Sequence, residues 1–421
     1  LGKTIALSGR TLEWARERFR TYYGAAVLEP PPQIARREFA AFPFTTESMM
    51  RRHAAFPDVD GFRGFLRRES PRHVYYSSAY YRFPDHPTMA QKEWLGADLI
   101  FDLDADHLRG ATGLSYPDQL LLVRSRVRDL LDDFLFGDLG VDPSRTLLVF
   151  SGGRGYHVHV RDEAFARLTS PERREIVEYI QGTGVDPVSI VFEQRGASEA
   201  TAVALTDRAE GEGEAEPRGG RRVPIRKQLP PADAPGWAGR IARSVDRRLI
   251  HWDEVGAATA ERELRLLGIE RPGALVRQLV TEGKGRSIRT HRSLSVLSDA
   301  AQRHFLDSVL KAATIEVQGE TDAPVTTDIH RLIRLPGSLH GGTGFRVVPL
   351  DRATLDSFDP FVSARPFVGS GETELVLTEP VDYPFPGRVQ GSPGDTGRWP
   401  DDLALFLVLR GDATLPPEPT P

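Results

Sequence analysis

The chain of 421 residues has no cysteine, so disulfide bonds and thiolate zinc sites are excluded. A reducing interior is therefore the default compartment. No run of roughly 18 apolar residues occurs, and no basic n-region leads into an apolar h-region, so neither a membrane span nor a signal peptide is expected. Strong charge of one sign is missing too. The net charge is −5, so contact with a nucleic acid would have to come from local basic patches. No internal repeat is visible, and the first residue is Leu1 rather than Met, which points to a non-standard start or a trimmed end. A soluble, cytoplasmic protein is the expectation. What remains is an ordinary globular balance, 40% hydrophobic and 27% charged, long enough for a substantial core and roughly two or three domains.

The chain is organised around Leu99-Ile100-Phe101-Asp102-Leu103-Asp104-Ala105-Asp106. On a strand, Asp102 and Asp104 share one face, with Cα atoms about 6–7 Å apart. Two such carboxylates can hold one divalent ion or bridge a pair. Hard cations such as Mg²⁺ take oxygen ligands and share them with substrate phosphates. Taken alone, the same residues also read as a strand ending in a polar loop.

Around this stretch the pattern alternates helix and strand. Thr11 to Tyr23 reads as an amphipathic helix, stopped by Pro30-Pro31-Pro32. Arg37 to Phe56 reads as a surface helix or strand pair. Val74 to Tyr81 is β-prone and is expected to lead into the sheet that carries the aspartates. Asp118 to Phe136 has a helical apolar face, Ser170-Pro171-Glu172 opens a helix that Gly182 closes, and several helical patterns run from Trp237 to Ile315. The span from Asp207 to Gly236 is acidic, then basic, then proline-rich, and is read as a flexible linker.

Two further stretches carry chemistry. Leu147-Leu148-Val149-Phe150 runs into Ser151-Gly152-Gly153-Arg154-Gly155-Tyr156-His157-Val158-His159. Closely spaced glycines let the backbone present N–H groups to an anion, with Arg154 and Ser151 as further donors. No Gly-Lys-Ser/Thr follows, so this is not a P-loop, and a plain hairpin turn fits the same pattern. The last stretch runs from Val325 to Gly344 and places Asp328 in a β-branched run ahead of Arg331, Arg334, Ser338 and His340. Asp328 could add a third metal ligand, and the others offer donors to phosphate oxygens.

Taken together, Phe101-Asp102-Leu103-Asp104, Ser151 to His157, and Asp328 to His340 resemble the three motifs of the small catalytic subunit of the archaeal and eukaryotic DNA primases, in its archaeal form. The ordered match spans roughly Arg37 to Leu350. The resemblance implies that Asp102, Asp104 and Asp328 are catalytic and hold Mg²⁺ or Mn²⁺. It also implies that Ser151, Arg154, His157, Arg334, His340 and Arg52 bind a nucleoside triphosphate. Arg334 stands where some relatives carry lysine. Relatives commonly carry a cysteine-rich zinc knob between the first two motifs; here that interval offers only His107, so no zinc is expected.

The fold this implies is α/β: a primase-type catalytic core, a mixed sheet flanked by helices, with a helical insertion subdomain. Residues 1–206 and 316–421 would form the core, 207–236 the linker and 237–315 the insertion. The implied activity is two-metal nucleotidyl transfer that makes short primers on single-stranded DNA, in a heterodimer with a larger iron–sulfur subunit and with no membrane involvement. The alternative is a stand-alone repair-type primase-polymerase. A dehalogenase-type phosphatase also opens on an apolar strand and Asp-x-Asp. It wants Thr or Val where this chain has Asp106, and it leaves the Gly/Arg/His turns without a role. Three carboxylates facing a polyanion argue against a simple nucleic-acid-binding module.

Overall fold

The computed structural model describes Leu7 and residues 9–26, 28–44, 49–195, 225–369 and 371–417. The expected linker lies outside the described residues as far as Pro224, and residues 418–421 lie outside them as well. The chain forms two compact units, one of Leu1–Gln181 with Gly319–Pro421 and one of Gly182–Gln318. Composition places the breaks near 206 and 315, because composition registers charge runs; the contacts break where the helix Ser170–Gln181 ends at Gly182, whose φ is +68°.

In the first unit, β1 (Phe39–Phe42), β2 (Arg51–Ala54), β3 (His73–Ser77) and β11 (Leu332–Arg334) form a sheet in the order β11–β3–β1–β2. A second sheet has the order β12–β7–β8–β6, from β6 (Leu99–Asp104), β7 (Thr146–Phe150), β8 (Gly155–Val160) and β12 (Val348–Leu350). Every residue of β8 is buried, so its run Tyr156-His157-Val158-His159-Val160 is covered on both faces.

Two expectations about these sheets need correction. All pairings in both are antiparallel, so the sheet is not mixed. The short turn between β7 and β8 can only make a hairpin, whereas a parallel pair would need a long crossover. The aromatic run Val74 to Tyr81 does not enter the aspartate sheet. It breaks at Ser78 into β3 and β4 (Ala79–Tyr81), and β4 pairs with β5 (Trp94–Ala97).

The Arg37 segment is a strand pair, but Arg37 itself is wholly buried rather than on the surface. Its guanidinium donates to the carbonyls of Ser77 and Ser78 at 2.8 and 2.7 Å and to Asp98 at 2.9 Å. Arg173, also buried, donates to the carbonyls of Ala97 and Asp98 at 2.8 and 2.9 Å. Together they secure the turn between β5 and β6, and with it the start of the acidic strand. Both cations satisfy backbone acceptors that would otherwise be buried without donors.

The helix Tyr116–Asp129 is capped by Ser115, which accepts from the Asp118 N–H, and continues as a wider turn through Leu130–Asp138. Its stripe of Leu120, Val123, Val127, Leu130, Leu131 and Phe134 is buried. The apolar run Leu403–Leu409 is the centre of a helix, Asp401–Arg410, buried nearly all round. It lies with β13 (Glu372–Leu377), β16 (Thr396–Pro400) and β17 (Ala413–Thr414), beside a ribbon of β14 (Val381–Tyr383) and β15 (Val389–Gly391).

The second unit carries a ribbon of β9 (Phe192–Arg195) and β10 (Ile225–Gln228) and a set of helices, of which Gly236–Val255 is the longest. Trp252 donates to Glu263 at 2.7 Å, and Arg292 grips Asp246 through two bonds of 2.8 Å. Among the described residues no helix is long and apolar enough to cross a membrane.

Candidate active site

Strand β6 alternates as its sequence dictates: Phe101 and Leu103 are buried, while Asp102 and Asp104 are half-buried on the opposite face. The ladder to β8 sets Asp102 across from His157 and Asp104 across from Gly155. Gly155 has to be glycine, because a Cβ there would stand 2.4 Å from the Leu103 carbonyl oxygen. The His157 Nε2 atom lies 3.6 Å from Asp102 Oδ1.

Charge is concentrated on Asp102. Burial first, then the charges of Asp104 and Asp322, push its carboxyl up to about 7, while Arg331 and Arg334 pull the other way. His157 is driven down to about 3, by burial and then by Arg334 and Arg331, so the ring is neutral at working pH. Its Nδ1 is buried with no hydrogen-bond partner. A buried ring nitrogen with nothing to bond marks a place where a ligand atom would be satisfied.

The turn between β7 and β8 holds the second set of residues. Ser151 Oγ accepts from the Gly153 N–H at 3.2 Å, and Gly152 has a φ of +77°, which a side chain would strain. Arg154 binds Asp106 and reaches to 3.9 Å from Asp104, so it links the turn to the acidic strand.

The third stretch folds against this turn. Added Cβ atoms at Gly152 and Gly153 would meet the His340 Cβ at 2.7 Å and its Nε2 at 3.0 Å. Thr343 donates its hydroxyl to the Gly152 carbonyl. Arg334 leaves β11 beside β3, donates to His73 Nδ1 at 2.6 Å and lies over the Tyr75 ring. The Arg334 charge helps hold His73, His157 and His340 neutral, after burial in each case. Arg334 is therefore the cation shared by Asp102 and the three imidazoles.

Three of the expected residues are placed differently. Asp328 is not on a strand: it caps the end of the short helix Ala323–Thr327, is exposed, and turns its carboxylate back to accept from the His330 N–H at 2.8 Å. Its charge is felt at Tyr81, His330 and Arg173 rather than at Asp102. Arg52 is bound to buried Glu38, with Nε 3.0 Å from Oε1, on the far edge of the sheet from Arg334. Ser338 is buried and donates to the Leu335 carbonyl at 2.6 Å, which leaves its hydrogen committed to the turn.

The residue that stands beside Asp102 is Asp322. Its N–H donates to the Asp102 carbonyl at 2.9 Å, and its charge raises the Asp102 carboxyl. It occupies the N-cap of the helix Ala323–Thr327 but makes no side-chain cap bond. Pro324 has no N–H to offer at the second helical position, so that carboxylate stays free. A sequence signal existed: an aspartate before Ala-Pro marks a helix start, and the helix displaces Asp328 from the strand that its β-branched neighbours suggest. His73, now set between Arg334 and His340, carried no signal because two strands far apart in sequence bring it there.

As it stands, no group of three His, Asp or Glu side chains among the described residues is close enough to hold a metal ion. The donors nonetheless suit a hard cation: at a half-buried spot the charges of Asp104 and Asp322 raise the proton affinity of Asp102.

Comparison with known proteins adds to this. The family model for the DNA primase small subunit matches residues 101–352. A relative named DNA primase small subunit PriS, from Methanocella arvoryzae, is 39% identical over 98% of this chain and all of its own length. Relatives of the same name from Methanothrix thermoacetophila and Methanoregula boonei are 36% and 37% identical, over 97% and 96% of this chain and 99% of each relative.

Proposed function

Because this chain belongs to the DNA primase small subunit family, we propose that it is the catalytic subunit of a DNA primase, joining nucleotides into short primers on a single-stranded DNA template. The similarity runs almost end to end with proteins of that name, which favours a replicative primase over a stand-alone repair-type primase-polymerase. The observation that carries the chemistry is the crowding of Asp104 and Asp322 around Asp102, across the ladder from neutral His157.

In this reading Asp102, Asp104 and Asp322 hold Mg²⁺ or Mn²⁺, with Asp322 in the part that the sequence assigned to Asp328. Bound there, the ions supply activation of the attacking 3′-hydroxyl and charge stabilisation of the leaving pyrophosphate. Ser151, Arg154, His157, Arg334 and His340 bind the triphosphate. Arg154 exchanges Asp106 for phosphate oxygens and so couples the turn to the acidic strand. Arg334 stabilises the negative charge that moves toward the leaving group. Neutral His157 and His340 donate or accept single hydrogen bonds without adding charge. Arg52, tied to Glu38, stands at the opposite edge of its sheet from Arg334, and its part in nucleotide binding is carried by the family resemblance alone. Residues 237–315 form the helical insertion of a primase-type core, a larger subunit completes the enzyme, and the setting is the cytoplasm.

The test is primer synthesis on unprimed single-stranded DNA, with and without a copurified large subunit, for the wild type and the variants D102A, D322A and D328A. Loss of product in D102A and D322A with retention in D328A supports the assignment. Equal loss in D328A returns the third carboxylate to Asp328. Product from all three variants would sink the metal-dependent reading.

A further inference from the structure

The turn proposed to bind the triphosphate is held from behind by a residue outside all three motifs. Tyr116 donates its hydroxyl to the Gly153 carbonyl oxygen at 2.7 Å, and its side chain is buried. In a trans peptide the carbonyl and the following N–H point in opposite directions. A bond that draws the Gly153 carbonyl toward Tyr116 therefore turns the Arg154 N–H the other way. That N–H has no acceptor among the described residues. The neighbouring peptide is pinned in the same manner, since Thr343 takes the Gly152 carbonyl. Two carbonyls are thus held away from the open side of the turn, and carbonyl oxygens there would repel a phosphate.

The Tyr116 ring is itself clamped. The Arg410 guanidinium lies over three rings, 4.5 Å from Tyr116 and 5.4 Å from each of Tyr383 and Phe406. Arg410 donates to the Tyr383 hydroxyl at 2.9 Å, and that hydroxyl donates to Asp412 at 2.8 Å. The clamp lies beyond residue 352, where the match to the family model ends. Burial keeps the phenol of Tyr116 protonated far above neutral pH, so it remains a donor throughout the working range.

We propose that Tyr116 is a positioning residue for the nucleotide. It orients the Gly153–Arg154 peptide so that the Arg154 N–H meets a phosphate oxygen, and the C-terminal cation–aromatic clamp around Arg410 fixes Tyr116 in turn. The inference rests on the primase reading above and deepens it. It assigns the C-terminal segment a part in substrate binding.

The experiment is steady-state primer extension by the full chain with Mg²⁺ or Mn²⁺, varying the nucleoside triphosphate, with inorganic tripolyphosphate as a competing probe. Tyr116→Phe keeps the ring and its packing but removes the hydroxyl. The expected result is a KM for the triphosphate and an inhibition constant for tripolyphosphate that rise together by about five- to tenfold, with kcat within about twofold, the scale of one lost hydrogen bond. Arg410→Lys keeps the charge but loses the planar stacking, and should move both constants in the same direction by a smaller factor. Unchanged constants in both variants overturn the proposal. So does a fall in kcat with no change in KM, or a rise in KM that tripolyphosphate does not follow. An inactive wild type would instead overturn the primase reading, which keeps the two failures apart.

Discussion

Replacing Asp102 with asparagine should stabilise the metal-free protein while abolishing its activity. Asp102 carries a carboxyl pushed up to about 7 from an ordinary 3.8, by burial and by the charges of Asp104 and Asp322. Well below pH 3.8 the group is protonated in both folded and unfolded chains and contributes no pH dependence. As pH rises from 4 to 7 the unfolded chain ionises while the folded one keeps its proton, so stability falls across that window and levels off above it. A difference of about 3 units at 1.36 kcal/mol each puts the full loss at about 4 kcal/mol. About 2.5 kcal/mol of it falls between pH 5 and pH 8. Asparagine has no proton to lose, so D102N should follow a curve without this slope. Urea unfolding in EDTA, read by hydrogen–deuterium labelling of peptides covering β6 and β8, isolates the unit that carries the site. The advantage of D102N over wild type should grow by about 2.5 kcal/mol from pH 5 to pH 8. Added Mg²⁺ should narrow it by stabilising the wild type alone. A gap that does not change with pH, or a variant less stable at pH 8 than at pH 5 relative to wild type, would refute the reasoning.

Gly155→Ala puts a Cβ 2.4 Å from the Leu103 carbonyl oxygen, so β6 and β8 must part beside Asp104. The expected cost is about 1–3 kcal/mol in unfolding free energy, with primer synthesis falling far more than stability does. Arg37→Met leaves Asp98 and the Ser77 and Ser78 carbonyls without their buried donor. It should destabilise by about 3–5 kcal/mol in denaturant titration, and a loss under 1 kcal/mol would show that Tyr80 and Arg161 suffice for Asp98.

Much of the active site was legible because its residues sit close together along the chain. The Asp-x-Asp alternation on β6 and the Gly-rich turn between β7 and β8 are local patterns, and a strand or a hairpin follows from them directly. The third carboxylate was not legible in that way. The β-branched run Val325-Thr326-Thr327 suggests a strand carrying Asp328, but Asp322 and Pro324 open a helix there instead, and tertiary packing sets Asp322 against Asp102. The aromatic run Val74 to Tyr81 is β-prone throughout, which points it toward the aspartate sheet; buried Arg37, by drawing the carbonyls of both Ser77 and Ser78, marks the point where it divides between two other sheets.

The sequence by itself determined the donor types, the strand that bears two carboxylates on one face, and the glycine turn able to expose N–H groups. Those depend on residue identity and short-range backbone geometry. Only the tertiary structure decided which acidic residue joins Asp102, that the sheets are antiparallel throughout, and that Tyr116 and Arg410, nearly 300 residues apart, stand behind one peptide of the turn. Such contacts arise from the closing of long loops around a shared core, and no local pattern encodes which distant residue will arrive.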